Sequence, residues 1–195
     1  MNTEPIAPLD LATEIAWNDQ NLREESARLP PGEVLPVDLV ALSYANFGWV
    51  ANIAGHLDIA VGLIGHALPN LDALSDPQFA VGARARLVAV LARRGNVDEA
   101  VALRERVMGE FARIPADAAE QQARPMCEMI GYSVMHMRSR TPTDLVQACL
   151  EMIPTREPLT FDWLRWTLGT AETAGAGEIA EVVRKRMVKL DIKPA

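Results

Sequence analysis

The chain has 195 residues, with 19 Lys plus Arg against 26 Asp plus Glu and a formal net charge of −7. Its 49% hydrophobic content is ordinary for a globular domain and too high for a disordered chain, while apolar runs such as Ile59–Ile64 fall far short of the roughly 20 residues that span a membrane. The acidic balance speaks against broad nucleic-acid binding, whose affinity comes from cations on phosphates.

Two cysteines, Cys127 and Cys149, make no disulfide framework and point to a reducing cytoplasm. Residues 1–10 carry neither a basic cluster nor an apolar core, so no secretory signal is expected. The charges are uneven. Residues 184–193 hold five cations against Asp191, whereas the first 33 residues hold Glu4, Asp10, Glu14, Asp19, Glu24, Glu25 and Glu33 against Arg23 and Arg28. The basic tail suits the negative end of a terminal helix, and the opposite charges at the two ends permit head-to-tail self-association into a homo-oligomer.

Along the chain, alternating β-branched runs and Asn-Gly or Asp-Gly hairpin turns do not occur, while apolar residues recur three and four apart among Ala, Leu, Arg, Glu and Met. Leu11, Ile15, Leu22 and Leu29 predict a first helix that stops at Pro30-Pro31-Gly32. Asp38 is expected to cap a second that runs through Tyr44, Phe47 and Val50 to Gly55. Leu57, Ala60, Ile64 and Ala67 line one face of a third until Pro69. Asp76-Pro77 opens a helix ending near Gly95, and Val97 to Ile114 follows. Further stops stand at Pro142, Pro154-Thr155, Pro158 and Gly175-Ala176-Gly177. The expectation is one all-α domain over residues 1–195, with a capping helix over 1–33 and about four antiparallel hairpins over 37–192.

A frame recurs in these hairpins. Gly55, Asp58 and Ala60 match Gly95, Asp98 and Ala100, and Gly175, Glu178 and Ala180 match both. The glycine ends one helix where a positive φ is needed. The acid sits in the first turn of the next, where the helix dipole favours it. The alanine lets the two axes approach.

Tyr44-Ala45-Asn46-Phe47-Gly48, followed by Gly55, Asp58, Ala60 and Ala67, resembles a tetratricopeptide repeat. Leu87, Leu91, Gly95, Asp98 and Ala100 continue the likeness, and Leu164, Ala171, Gly175, Glu178, Ala180 and Pro194 form its last unit. The resemblance implies hairpins stacked as a short right-handed solenoid or a compact irregular bundle. It also implies a partner-binding groove lined by the first helix of each hairpin. Carried over position by position, that groove takes Leu42, Ala45, Trp49, Asn52 and Ile53 from the first unit. Gly82, Ala85, Ala89, Ala92 and Arg93 come from the second, and Asp162, Arg165, Gly169, Glu172 and Thr173 from the last. The Lys, Arg and Asn set with which some relatives clamp a C-terminal carboxylate is largely missing. The resulting expectation is a protein–protein interaction module, an adaptor, assembly factor or accessory subunit. It would contact another protein or peptide through Leu42, Tyr44, Ala45, Trp49, Asn52, Arg86, Ala89 and Arg93, with Gly48, Gly55, Ala60, Gly95, Ala100, Gly175 and Ala180 as the repeat's structural positions.

Two other readings stay open. Met126, Cys127, Met129, Met135 and His136, with Cys149 and Met152 on a neighbouring helix, hold the soft atoms that Cu(I) prefers or a small molecule could meet. Core packing explains the same residues, so no metal or cofactor is assigned. No nucleophile elbow, H-E-x-x-H pair or P-loop is present, and His56, His66 and His136 are dispersed, so no catalytic residue is assigned.

Overall fold

The structure, a computed structural model, describes residues 10–153 and 158–192; Glu4, the Pro154-Thr155 stop, Lys193 and Pro194 lie outside them. Among the described residues all regular structure is helical. It comprises α1 (Leu11–Ala27), α2 (Val37–Ala54), α3 (Leu57–Asp72), α4 (Gln78–Arg94), α5 (Val97–Phe111), α6 (Ala116–Gln121) and α7 (Ala123–His136), then a 3-10 turn (Arg138–Arg140), α8 (Thr143–Met152), α9 (Pro158–Thr173) and α10 (Gly177–Lys189). No described helix is long and apolar enough to cross a membrane. The chain divides into two compact units, Met1–Ala73 and Leu74–Ala195.

In the first unit α2 and α3 form the tight hairpin. A Cβ added at Gly48 would lie 2.6 Å from Ile64 Cγ1 and 3.0 Å from the Ala60 carbonyl oxygen, so the missing side chain is what lets the axes meet. Ala60, Leu63, Ile64, Ala67 and Leu71 are buried behind that contact. The first helix, α1, is capped by Asp10, whose Oδ1 accepts from the Thr13 N–H at 3.0 Å. It is held by Leu11 over Gly62, by Trp17 edge-on to Phe47, and by Asn18 Nδ2 donating to Ser43 Oγ at 3.0 Å.

Several expected boundaries move, among them the end of α5, at Phe111 and not Ile114, and the N-cap of α4, which is Pro77 and not Asp76. Asp38 stands in the first turn of α2 without a side-chain cap bond, and Pro36 is the N-cap. Pro69 does not end α3, which continues to Asp72. A proline there gives up its bond to the Gly65 carbonyl, and Gly65 is exposed with open space around it, so the cost is small.

In the second unit α4 is buried along most of its length, flanked by α5 and α7. The first helices of successive hairpins, α4, α7 and α9, adjoin in a row, and α8 packs against α10. Met126, Cys127, Met129, Ile130, Leu150 and Met187 fill the core between them.

The Gly–acid–Ala frame marks one turn geometry, built three times. Gly55, Gly95 and Gly175 have φ of 92°, 91° and 65°. At each, the glycine N–H donates to a carbonyl three back and the next N–H to one five back, as in Gly55 to Asn52 and His56 to Ala51. This is the Schellman closure that only a left-handed residue completes. Three residues into each following helix, Ala60, Ala100 and Ala180 are 0%, 0% and 1% exposed. The joint of α7 and α8 is different. Val146 takes the alanine's place, and the end of α7 is closed by a side chain from far along the chain. Arg104 donates to Thr141 Oγ1 at 3.1 Å and to the Arg140 carbonyl at 2.6 Å, while Thr141 Oγ1 donates to the Ser133 and Met137 carbonyls.

Candidate functional site

The row of α4, α7 and α9 carries a strip of rings and guanidiniums. On α7, Arg124, Glu128, Tyr132 and His136 follow one another four residues apart and so share a face. Arg124 Nε donates to Glu128 Oε1 at 2.9 Å, and Arg86 Nε of α4 donates to Glu128 Oε2 at 3.4 Å. The carboxylate is buried, and burial pushes its pKa up against the pull of the Arg124 and Arg86 charges. It therefore fixes two guanidiniums from inside while Arg124 stays half exposed.

α9 adds the aromatic part. The Arg124 guanidinium lies 4.7 Å from the Trp163 ring centre. Trp163 meets Trp166 edge-on at 5.8 Å, and Trp166 meets Tyr132 at 5.8 Å. Tyr132 stacks on His136 at 6.0 Å. A side chain at Gly131 would occupy the space of the Trp166 ring, so this glycine is what lets the indole rest on α7. Tyr132, Trp163 and Trp166 are partly exposed and His136 is exposed. Partial burial, then the Arg93 charge, holds the His136 pKa below its ordinary value, which leaves a neutral ring to stack. Chemically the strip offers flat apolar faces between cations, a surface for holding side chains.

The residues expected to line a contact surface divide. Tyr44, Ala45, Trp49, Asn52 and Ala89 are buried, with Trp49 6% exposed and Ala89 0%. Leu42, Arg86 and Arg93 are half-buried, and Ile53 is exposed. On α4, Gly82, Ala85 and Ala92 are buried as well, Gly82 because the Gln122 side chain presses on it. The α9 positions Asp162, Gly169, Glu172 and Thr173 are exposed, and Arg165 partly so. Only Arg86 and Arg93 of the eight contact candidates belong to the strip. Arg124, Tyr132, Trp163 and Trp166 were not among them, although Trp163-x-x-Trp166 and the four-residue ladder of α7 were visible as helical spacing.

The soft-atom segment is also divided. Met126, Cys127, Met129 and Cys149 lie in the core, while Met135 and His136 face outward. Burial pushes the Cys127 thiol up to about 12 and Cys149 well above its ordinary value, which disfavours the thiolate a metal would need. No group of three or more His, Cys, Asp or Glu placed to hold a metal occurs among the described residues. His66 rests edge-on against Tyr44 at 4.7 Å between ring centres.

No family model matches the chain, and no curated protein matches it.

Proposed function

We propose that this chain is a TPR-like helical-repeat protein that binds another protein or peptide, as an adaptor, assembly factor or accessory subunit. The observation that carries the reading is the contiguous strip Arg124–Trp163–Trp166–Tyr132 on the first helices of successive hairpins. Trp, Tyr and Arg are enriched among the residues that dominate the energetics of protein interfaces, Trp and Tyr because they bury a large rigid area and Arg because its planar fork of donors pairs with carboxylates and stacks on rings. The repeated Schellman turn with its buried alanine, and the side-by-side row of α4, α7 and α9, support the repeat reading. The two free, buried cysteines suit a reducing compartment such as the cytoplasm.

The test is affinity capture with tagged full-length chain, followed by mass spectrometry. A protein captured in stoichiometric amount by wild type is expected to be lost in Trp163→Ala/Arg124→Glu, with the helical spectrum unchanged. Trp49→Ala is the contrasting control. Because its ring is 6% exposed, truncation should cost about 3–5 kcal/mol of stability. Capture that survives the Trp163/Arg124 change would remove the strip from the binding surface.

A further inference from the structure

The least embedded helix of the first unit is α1, in which Asn18 is the one buried residue of 17. Asp10, Glu14, Trp17, Asn21 and Glu24 follow one another at steps of three and four, so they form one stripe along the helix. Acids flank an indole in that stripe, and the indole is 49% exposed even with its edge against Phe47. An exposed tryptophan with carboxylates before and after it along one helix face is a docking feature, since it has apolar area to bury and charge to orient it.

The second unit carries a surface of the opposite character. Between α8 and α10 lies an open groove of roughly 570 Å³, with Leu150, Val182 and Val188 among its apolar lining. Val188 is 74% exposed. Arg184, Lys185, Arg186 and Lys189 stand around the groove and outnumber its two acids, Glu151, which accepts from Gln147, and Glu181, which pairs with Arg184. Arg184 is engaged with Glu172, but Lys189 pairs with no carboxylate among the described residues, and Lys185 reaches Glu181 only at 3.9 Å. Arg186 Nη2 donates to the Ile153 carbonyl at 3.1 Å, while its buried Nε–H has no hydrogen-bond partner among the described residues. The groove thus has apolar side chains in its lining and, beside them, Lys189 and the Arg186 Nε–H without a partner among the described residues.

We propose that the acidic stripe of α1 in one copy docks into this basic groove in a second copy, Trp17 on the apolar lining and Glu14 and Glu24 beside Lys185 and Lys189. The two surfaces differ, so a docked pair still presents one free stripe and one free groove. The association is head to tail and grows into chains or closes into a ring. It depends on charges at the surface, which added salt screens over a Debye length of about 10 Å at 0.1 M.

Sedimentation velocity of the full chain at about 0.02 M and 0.5 M NaCl tests it, these values bracketing weak and strong screening. The expected result is a sedimentation coefficient that rises with protein concentration at low salt and falls to the monomer value at high salt. Glu14→Lys/Glu24→Lys and Lys185→Glu/Lys189→Glu should each be folded monomers. Mixed together they should associate again, because the reversed stripe of one fits the reversed groove of the other. Trp17→Ala should weaken association tenfold or more. A wild-type chain that stays monomeric at low salt, an association indifferent to both charge reversals, or reversed variants that do not reassociate on mixing would each overturn the proposal. Monomeric wild-type chain that instead takes up an acidic helix of another protein would do so as well.

Discussion

A phenol buried beside a carboxylate holds its proton harder than one in water, because ionising it would place a second anion in the same desolvated space. Tyr44 is in that position. Its hydroxyl donates to Asp19 and so ties α2 to α1, and burial first, then Asp19, pushes its pKa up to about 12. The unfolded phenol titrates near 10. The folded state binds the proton more tightly, so this contribution is complete below about pH 10 and is lost as pH rises through about 12. Tyr44→Phe should cost about 1 kcal/mol at pH 8, the usual net worth of one such bond. It should also flatten the fall in stability between about pH 10 and 12. The difference between wild-type and variant urea midpoints across that range isolates the contribution of Tyr44. Equal slopes in the two proteins would mean that the hydroxyl is solvated in the folded chain. The same logic explains Glu128, where burial raises the pKa although two guanidiniums oppose it.

At the scale of elements, a glycine and an alanine five residues apart do separate work in each regular hairpin. Gly95 has φ 91° and nothing within 4 Å of the place a Cβ would take, so Gly95→Ala should cost only the left-handed strain, about 1 kcal/mol. Ala100 is fully buried where the helices close, so Ala100→Leu should cost about 1–3 kcal/mol by overpacking. Chemical denaturation of both variants measures the two, and a neutral Ala100→Leu would mean that the hairpin has slack at its crossing. These hairpins were legible because a local cue, glycine then acid then alanine, fixes a local geometry. The third joint was not, because its closure comes from Arg104, whose partner Thr141 is 37 residues away. Contact residues follow the same division. Arg93 comes from its repeat position and Arg86 only from being a cation on the same helix, and the burial of Trp49 and Ala89 depends on what covers their helices, which no spacing records. Trp166 is held in the strip by an empty Cβ position at Gly131 on another helix, a pairing invisible along the chain.

For the molecule as a whole, the aromatic strip and the basic groove use different helices of the second unit. The strip is built on α4, α7 and α9 around Trp163, Trp166 and Tyr132, and the groove opens between α8 and α10. The residues altered in the two sets share no side-chain contact among the bonds, ion pairs and ring contacts described above, and sites without shared partners respond to substitution almost independently. The two activities should therefore separate cleanly. Lys185→Glu/Lys189→Glu should abolish self-association while the captured partner is retained at wild-type stoichiometry. Trp163→Ala/Arg124→Glu should lose the partner while salt-sensitive sedimentation is unchanged. The net charge of −7 works against the docking charges, since copies added to an assembly repel one another most strongly where salt screens least. Association should consequently level off at the lowest ionic strengths instead of climbing further, which a salt series in the same sedimentation experiment reads directly. If either pair of substitutions removes both activities with the fold intact, the strip and the groove act as one surface, and assembly and partner binding are a single event.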